Sequence, residues 1–374
     1  VINASIGALM TDEGSLAVMP TVSEAFRGVD PTRAAAYAPI AGNPAFLEAV
    51  VRDVFGDGPL AESAIAVATA GGTGAIHHAI SNFLEPGEAL LTTSYYWGPY
   101  RIIASHTGRR VETFSMLDGA GRLDVAGFER ALLGQLESQG RALVVFNFPC
   151  HNPTGYSLDA DEWSAVADVL ARAGQVGPVV FLLDLAYARY GARGSDIWTE
   201  ALAPATEHCD LLVAWSASKS FAQYGSRVGA LLAVVHDPNE RQAVYNALSF
   251  SCRGTWSNCN HRGLLAITDL LTDPVLRARA DEERAGLIGL LGERVEIFNR
   301  EASRVQLRYP RYEGGFFVTV FTEDAKGTAA AAKEEGVFVV PIEGAVRVAL
   351  CGIPVADVPR LVTVVARAIE GTRR

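Results

Sequence analysis

Seven short apolar runs, spaced by longer amphipathic stretches, constrain this chain more than any other feature. They are Ala64 to Ala68, Ala89 to Thr92, Val111 to Phe114, Leu143 to Phe148, Val179 to Leu185, Leu211 to Trp215 and Val228 to Val235. Strands covered on both faces read as unbroken Val, Leu and Phe, and helical segments between such strands wind a mostly parallel sheet. The pattern predicts an α/β domain over the middle of the chain, with no internal repeat. Beyond it, Pro274 to Arg304 carries Leu276, Ala280, Leu287, Leu291, Val295 and Phe298 at helical spacing without an interrupting proline, which predicts one long helix linking two domains. Gly315 to Phe321, Val337 to Pro341 and Arg347 to Leu350 read as strands and Ala356 to Ile369 as a closing helix. The expected division is a large domain over 36–273 and a smaller α+β domain built from 1–35 and 274–374.

Charge narrows the function classes. The 374 residues hold 32 basic and 42 acidic side chains, a formal charge of −10, which is the wrong sign for tracking nucleic-acid phosphates. A DNA-binding regulatory module is accordingly disfavoured, and an anionic ligand needs a local basic pocket. No apolar run approaches the roughly 18 residues of a membrane span, and no basic-then-apolar leader opens the chain, so a soluble protein is expected. Val1 stands where a methionine is usual, which suggests a missing N-terminal segment. The five cysteines are odd in number and lack metal-type pairing, which reads as reduced thiols in a cytoplasmic protein with no metal site. Only three lysines occur. Lys326 and Lys333 lie among acidic residues in an alanine-rich stretch that reads as exposed, whereas Lys219 follows an apolar strand.

In sheets of this kind ligands gather beyond the carboxyl ends of the strands, so the residues after each run carry the information. The first run leads into Gly71-Gly72-Thr73-Gly74 and a helical pattern. Glycines with free helix-start N–H groups suit an anion such as phosphate, and equally a tight ligand-free turn. The fourth run enters Cys150-His151-Asn152-Pro153-Thr154-Gly155, a turn that projects Asn152 and that ordinary turn chemistry also explains. The fifth ends at Asp184, a carboxylate costly to bury without a partner, either a ligand cation or a structural ion pair. The sixth ends in Ser216-Ala217-Ser218-Lys219, with Arg227 eight residues on. An amine so placed is expected to have a lowered pKa and to act as a nucleophile toward an aldehyde, with pairing to Asp184 as the structural alternative.

An amine, an acid able to hold a ring nitrogen protonated, and phosphate ligands together match pyridoxal phosphate. In these motifs, over nearly its whole length, the chain resembles the class I aminotransferases of pyridoxal-phosphate fold type I, in the aspartate and aromatic aminotransferase branch. The resemblance implies a three-layer α/β/α large domain with a mostly parallel sheet plus a smaller α+β domain. It implies that Lys219 forms a Schiff base with the cofactor, that Asp184 pairs with the ring nitrogen, that Asn152 and Tyr187 bond the phenolic oxygen and that Trp97 stacks on the ring. Gly72, Thr73, Ser216, Ser218 and Arg227 are implied phosphate ligands. Arg347 matches the arginine that grips the substrate α-carboxylate, with Gly7 and Asn152 beside it, and Phe316 resembles an active-site phenylalanine that core packing explains equally well.

A homodimer with shared sites is implied by Tyr37, matching a tyrosine that reaches the neighbouring subunit's phosphate. It is implied also by Arg253 and Ser257, in a segment that lends the partner an arginine for a distal carboxylate. There the two prolines usual in the family are replaced by Cys259 and Asn260. The expected reaction moves an amino group between an L-amino acid, aspartate, glutamate or aromatic, and a 2-oxo acid. The alternative is a lyase, decarboxylase or cyclase of the same fold.

Overall fold

The computed structural model describes residues 1–191 and 197–372. A two-residue strand, β1 (Ile2–Asn3), opens the chain. Seven strands follow in the middle: β2 (Ala64–Ala70), β3 (Ala89–Thr93), β4 (Arg110–Phe114), β5 (Ala142–Phe146), β6 (Val179–Asp184), β7 (Asp210–Ser216) and β8 (Val228–Val234). They form one sheet in the order β2-β8-β7-β6-β5-β3-β4. Every pairing in it is parallel except those of β8, which runs antiparallel to both β2 and β7. Every residue of β3, β5, β6 and β8 is buried, as unbroken apolar runs require, while the polar β4 takes the edge. Each Leu, Val or Phe side chain fully buried there contributes about 1.5–3 kcal/mol.

The direction of β8 has a functional consequence. The carboxyl ends of β2, β3, β5, β6 and β7 share one edge, and because β8 is reversed its first residues arrive at that same edge. Val228 pairs with Ala70, and Gly229 pairs with Ser216. Arg227 is therefore delivered beside the ends of β2 and β7 although it precedes its own strand.

The helices that frame this edge are α1 (Pro20–Gly28), α2 (Pro44–Phe55), α3 (Gly71–Phe83), α4 (Pro99–His106), α5 (Ala217–Ser220), α6 (Pro238–Thr255) and α7 (His261–Thr272). They are followed by α8 (Pro274–Arg304) and the closing α9 (Val358–Thr372). Their starts are written locally. Asn43, Asp237, Asn260 and Asp273 each accept backbone N–H bonds from the first turn of the helix they precede, and proline opens α2, α6 and α8. A cap of this kind contributes about 1 kcal/mol. Helix α8 covers the predicted range.

The C-terminal part adds β9 (Phe317–Phe321), β10 (Val337–Phe338), β11 (Val340–Ile342) and β12 (Ala345–Ala349), with β11-β12-β9 an antiparallel sheet and β10 parallel to β1. The run from Val337 to Pro341, expected as one strand, is thus divided: its first residues pair with the chain's start and its later ones with β12. The strand expected from Gly315 begins at Phe317, because Gly315 adopts φ +85 and lies where a side chain would meet the Cβ of Cys150 at 2.6 Å.

A first apolar cluster packs one face of the sheet against α7, and a second holds Phe316 to Val320, Val346 to Cys351 and α9; a further cluster packs the opposite face of the sheet against α3 and α4. Helix α8 serves the first two, placing Ala280 in the first and Leu291, Val295, Phe298 and Ala302 in the second. Ile2, Ala4, Leu9 and Ala17 join the C-terminal cluster, but Met19, Val22, Ala25 and Val29 pack with the sheet cluster. The packing therefore changes sides near residue 18, where the apolar face of α1 turns to the sheet cluster. The fully buried Arg294 of α8 secures the first residues by donating to the carbonyls of Cys351 and Met10 and to Asp12 at 2.7–2.8 Å. Among the described residues no helix is long and apolar enough to cross a membrane.

Candidate active site

At the shared strand edge lies a cleft with about 420 Å³ of space between its walls. Its lining brings together Gly72, Thr73, Trp97, Asn152, Asp184, Tyr187, Ser216, Ser218, Lys219 and Arg227, residues spread over 155 positions of sequence, with Ile76, Asn147 and Ala186 besides.

One end is built for an anion. Strand β2 stops at Ala70 and α3 begins at once, so Gly72 and Thr73 carry N–H groups of the helix start, free of intrahelical partners. Glycine is required at 71: its φ is +69, and a side chain there would collide with the Arg227 guanidinium. Ser216 ends β7 and accepts from the Ser218 N–H at 3.1 Å. Arg227 donates to Ser218 Oγ at 3.2 Å and to the carbonyls of Tyr224 and Ala70 at 2.9 and 3.3 Å, which aims its charge at this end.

The middle of the cleft holds Asp184 and Lys219 on the same side of the sheet edge. Asp184 is buried, 4% exposed, and burial pushes its pKa up. Hydrogen bonds from the Tyr100 hydroxyl at 2.8 Å and the Ala186 N–H at 3.1 Å, and the Lys219 charge, pull the other way. Burial lowers the pKa of the Lys219 amine, opposed by the Asp184 charge and reinforced by Arg227. Lys219 Nζ stands 5.3 Å from the centre of the Tyr187 ring. Asn152 donates to the Tyr187 hydroxyl at 3.2 Å, and burial raises the Tyr187 pKa far enough to keep the phenol protonated.

Asn147 joins these groups. It donates to the Asp184 carbonyl and accepts from the Asn152 N–H, both at 2.8 Å, so one amide stitches the ends of β5 and β6 together. Sequence reasoning passed over it, although an asparagine inside a buried apolar run is itself a signal that a partner exists. Tyr100 was passed over too. It lies three residues after Trp97, a spacing that sets the pair close once Pro99 starts α4, and the rings meet edge to face at 5.6 Å.

The far end of the site is cationic. Arg347, in the middle of β12, donates to the Ser5 carbonyl at 3.1 Å and to Asn152 Oδ1 at 3.4 Å, while its buried Nε has no partner. Its guanidinium lies 4.4 Å from the centre of the Phe317 ring. Gly7 is packed so closely that a Cβ would stand 2.6 Å from Phe317 Cζ. Phe316, just before β9, is fully buried and edge-on to Tyr187 and Tyr190 at 5.2 and 4.9 Å. The phenylalanine whose ring lies under the Arg347 guanidinium is Phe317, while Phe316 packs on Tyr187.

Tyr37, Arg253 and Ser257 do not line this cleft. Tyr37 is 90% exposed, and Arg253 is exposed at the end of α6, donating to Ser257 Oγ at 2.7 Å. All five cysteines are buried and unpaired.

A family model described as aminotransferase class I and II matches residues 1–365. The chain belongs to that family. It is an enzyme of amino-group transfer. An aromatic-amino-acid aminotransferase of Paracoccus denitrificans is 29% identical, covering 77% of this chain and 74% of its own length. An aspartate aminotransferase of Pseudomonas aeruginosa is 30% identical over 75% of this chain and 71% of its own. Among solved structures, an aminotransferase from Anaerococcus prevotii superposes with a TM-score of 0.93 at 29% identity, covering 99% of this chain and 91% of that one. An aromatic-amino-acid aminotransferase from Burkholderia pseudomallei, described as covalently bound to pyridoxal phosphate, shares the fold with a TM-score of 0.83 at 23% identity, covering 98% of this aminotransferase and 92% of its own chain.

Proposed function

We propose that this aminotransferase works with pyridoxal phosphate and moves the amino group of aspartate, glutamate or an aromatic L-amino acid to a 2-oxo acid. The observation that carries this reading is the convergence of the Lys219 amine and the Asp184 carboxylate on one cleft, between a phosphate-type cradle and Arg347. The donor set fits the cofactor: helix-start N–H groups, two serines and Arg227 at one end suit a phosphate, and a buried anion suits a protonated ring nitrogen. When bound, pyridoxal phosphate supplies an aldehyde that condenses with amines and a ring that takes up an electron pair.

The chain's own residues do the rest. Gly72, Thr73, Ser216, Ser218 and Arg227 would hold the phosphate, and Trp97 would cover the ring. Asp184 would balance the ring-nitrogen charge, and Asn152 and Tyr187 would donate to the phenolic oxygen. Arg347 would grip the substrate α-carboxylate and so orient the substrate. Lys219, its amine made less basic by burial, would accept and return the Cα proton.

The proposed working form is a homodimer in which Tyr37, Arg253 and Ser257 complete the neighbouring site. What supports it is the surface that carries Arg253. Pro39 to Gly42, Tyr245, Phe250 and Arg253 line a largely apolar hollow, and Phe250 and Ile40 are exposed there. Five unpaired buried thiols are consistent with a reducing compartment such as the cytoplasm.

Mixing the holoenzyme with glutamate tests the reading. The cofactor absorbance converts to the pyridoxamine form in wild type, and Lys219→Ala binds cofactor without multiple turnover. Unchanged absorbance in wild type, or sustained turnover in the variant, sinks it; release of pyruvate with a leaving group, or of carbon dioxide, points instead to a lyase or decarboxylase.

A further inference from the structure

Tyr100 is buried in the wall behind Asp184, 1% exposed, and its ring is fixed by neighbours other than the carboxylate. It lies edge-on to Trp97 at 5.6 Å and parallel to Tyr96 at 6.4 Å. Its hydroxyl donates to Asp184 Oδ2 at 2.8 Å, while Oδ1 takes the Ala186 N–H at 3.1 Å. Each carboxylate oxygen thus has one protein donor. We propose that Tyr100 is a positioning residue for Asp184, its hydroxyl locking the carboxylate in one rotamer and keeping it ionised toward the cleft.

The choice of donor matters. A guanidinium or imidazolium at this place would offset the Asp184 charge and compete with a protonated ring nitrogen for it. A phenol donates one strong hydrogen bond to an anion and leaves the net charge in place. Burial and the Asp184 charge both hold the Tyr100 phenol well above its ordinary pKa, so it remains a neutral donor across the working pH range. The other titratable groups facing Asp184 are Lys219 and Tyr187. Lys219 supports the ionised form from across the cleft, and Tyr187 stays neutral.

This inference rests on the assignment of Asp184 to the ring nitrogen, but the hydrogen bond is testable without turnover. Tyr100→Phe keeps the ring packing and removes the hydroxyl. In full-length protein stripped of cofactor and labelled at the aspartate carboxyl carbons, the resonance absent from Asp184→Asn identifies Asp184. Its titration midpoint moves up by about one pH unit in Tyr100→Phe. Replacing Tyr100 with 3-fluorotyrosine, a stronger donor, moves it down and serves if the phenylalanine variant does not fold. In the holoenzyme the acid limb of the pH profile for the half-reaction with glutamate shifts up in Tyr100→Phe, in step with the carboxyl titration. An unmoved Asp184 midpoint in folded Tyr100→Phe overturns the proposal even if activity falls, because Tyr100 then only packs. Wild-type turnover by Asp184→Asn overturns the assignment beneath it, whatever the carboxyl titration reads.

Discussion

Arg347→Leu removes the group assigned to the substrate α-carboxylate, and the structure sets the size of the effect. Both terminal nitrogens have neutral partners, the Ser5 carbonyl at 3.1 Å and, at a longer 3.4 Å, Asn152 Oδ1, and Nε has none. These partners compete weakly with a carboxylate. Burial lowers the guanidinium pKa, yet arginine starts so high that it stays charged near neutrality. A bidentate contact from it consists of two charge-assisted hydrogen bonds, each contributing about 1.5–3 kcal/mol. Losing both, with some recovery from water entering the space, costs about 3–5 kcal/mol, or roughly 10²- to 10⁴-fold in kcat/KM at 1.36 kcal/mol per decade. The assay is the single-turnover half-reaction, followed by cofactor absorbance, with glutamate and with the amine that lacks only its α-carboxylate. Glutamate loses the full factor and the amine little. A drop of less than about tenfold for glutamate, or equal drops for the two, refutes the reasoning, since the arginine would then be acting on the fold or the cofactor.

Arg253→Leu weakens dicarboxylic substrates by about 2–5 kcal/mol, the penalty for truncating one member of a buried charge pair, and spares alanine; equal losses for glutamate and alanine discard the distal-carboxylate role. Mixing inactive Lys219→Ala with Arg253→Leu restores glutamate turnover at one of the two sites in each mixed dimer, and no recovery argues against a shared site. Asp53 of α2, nearly inaccessible, holds Arg189 just beyond Tyr187, Arg277 at the start of α8 and the Trp215 indole N–H at 2.6–3.0 Å. Burial pushes its pKa up, but the two arginines and the indole outweigh this and hold it below the ordinary value. Asp53→Asn therefore costs about 2–4 kcal/mol in urea unfolding, discounted from the fully buried case because both arginines are about a third exposed. With the folded pKa below the unfolded value near 3.9, that stability is complete above about pH 4 and is lost as pH falls through the folded value. The gap between wild type and variant is flat from about pH 8 to 5 and closes in acid; a gap that widens on acidification contradicts the ion-pair account.

Reading outward from the strand ends places polar residues at one edge wherever chemistry follows directly on periodicity. Asn152, Asp184, Lys219 and Arg227 each stand within a few residues of an apolar run, and all four line the cleft. Which of the adjacent Phe316 and Phe317 meets Arg347 is not written in the sequence, because a Phe-Phe pair carries no alternation; in the fold Phe317 lies under Arg347 and Phe316 packs on Tyr187. The segment after Gly336 reads as a single strand because an apolar run does not say when the chain changes partners.

The sequence alone determined what is local: strands, helix caps, the glycine turn at 71 and the polar residue that closes each strand. Those depend on interactions over a few positions, which periodicity and side-chain chemistry encode. Only the tertiary structure decided that Tyr100 would meet Asp184 across 84 positions and Arg347 would meet Asn152 across 195. It also decided that the reversed β8 would carry Arg227 to the edge where β2 and β7 end. Such meetings follow from strand order and direction, which are properties of how the layers pack together and not of any one segment.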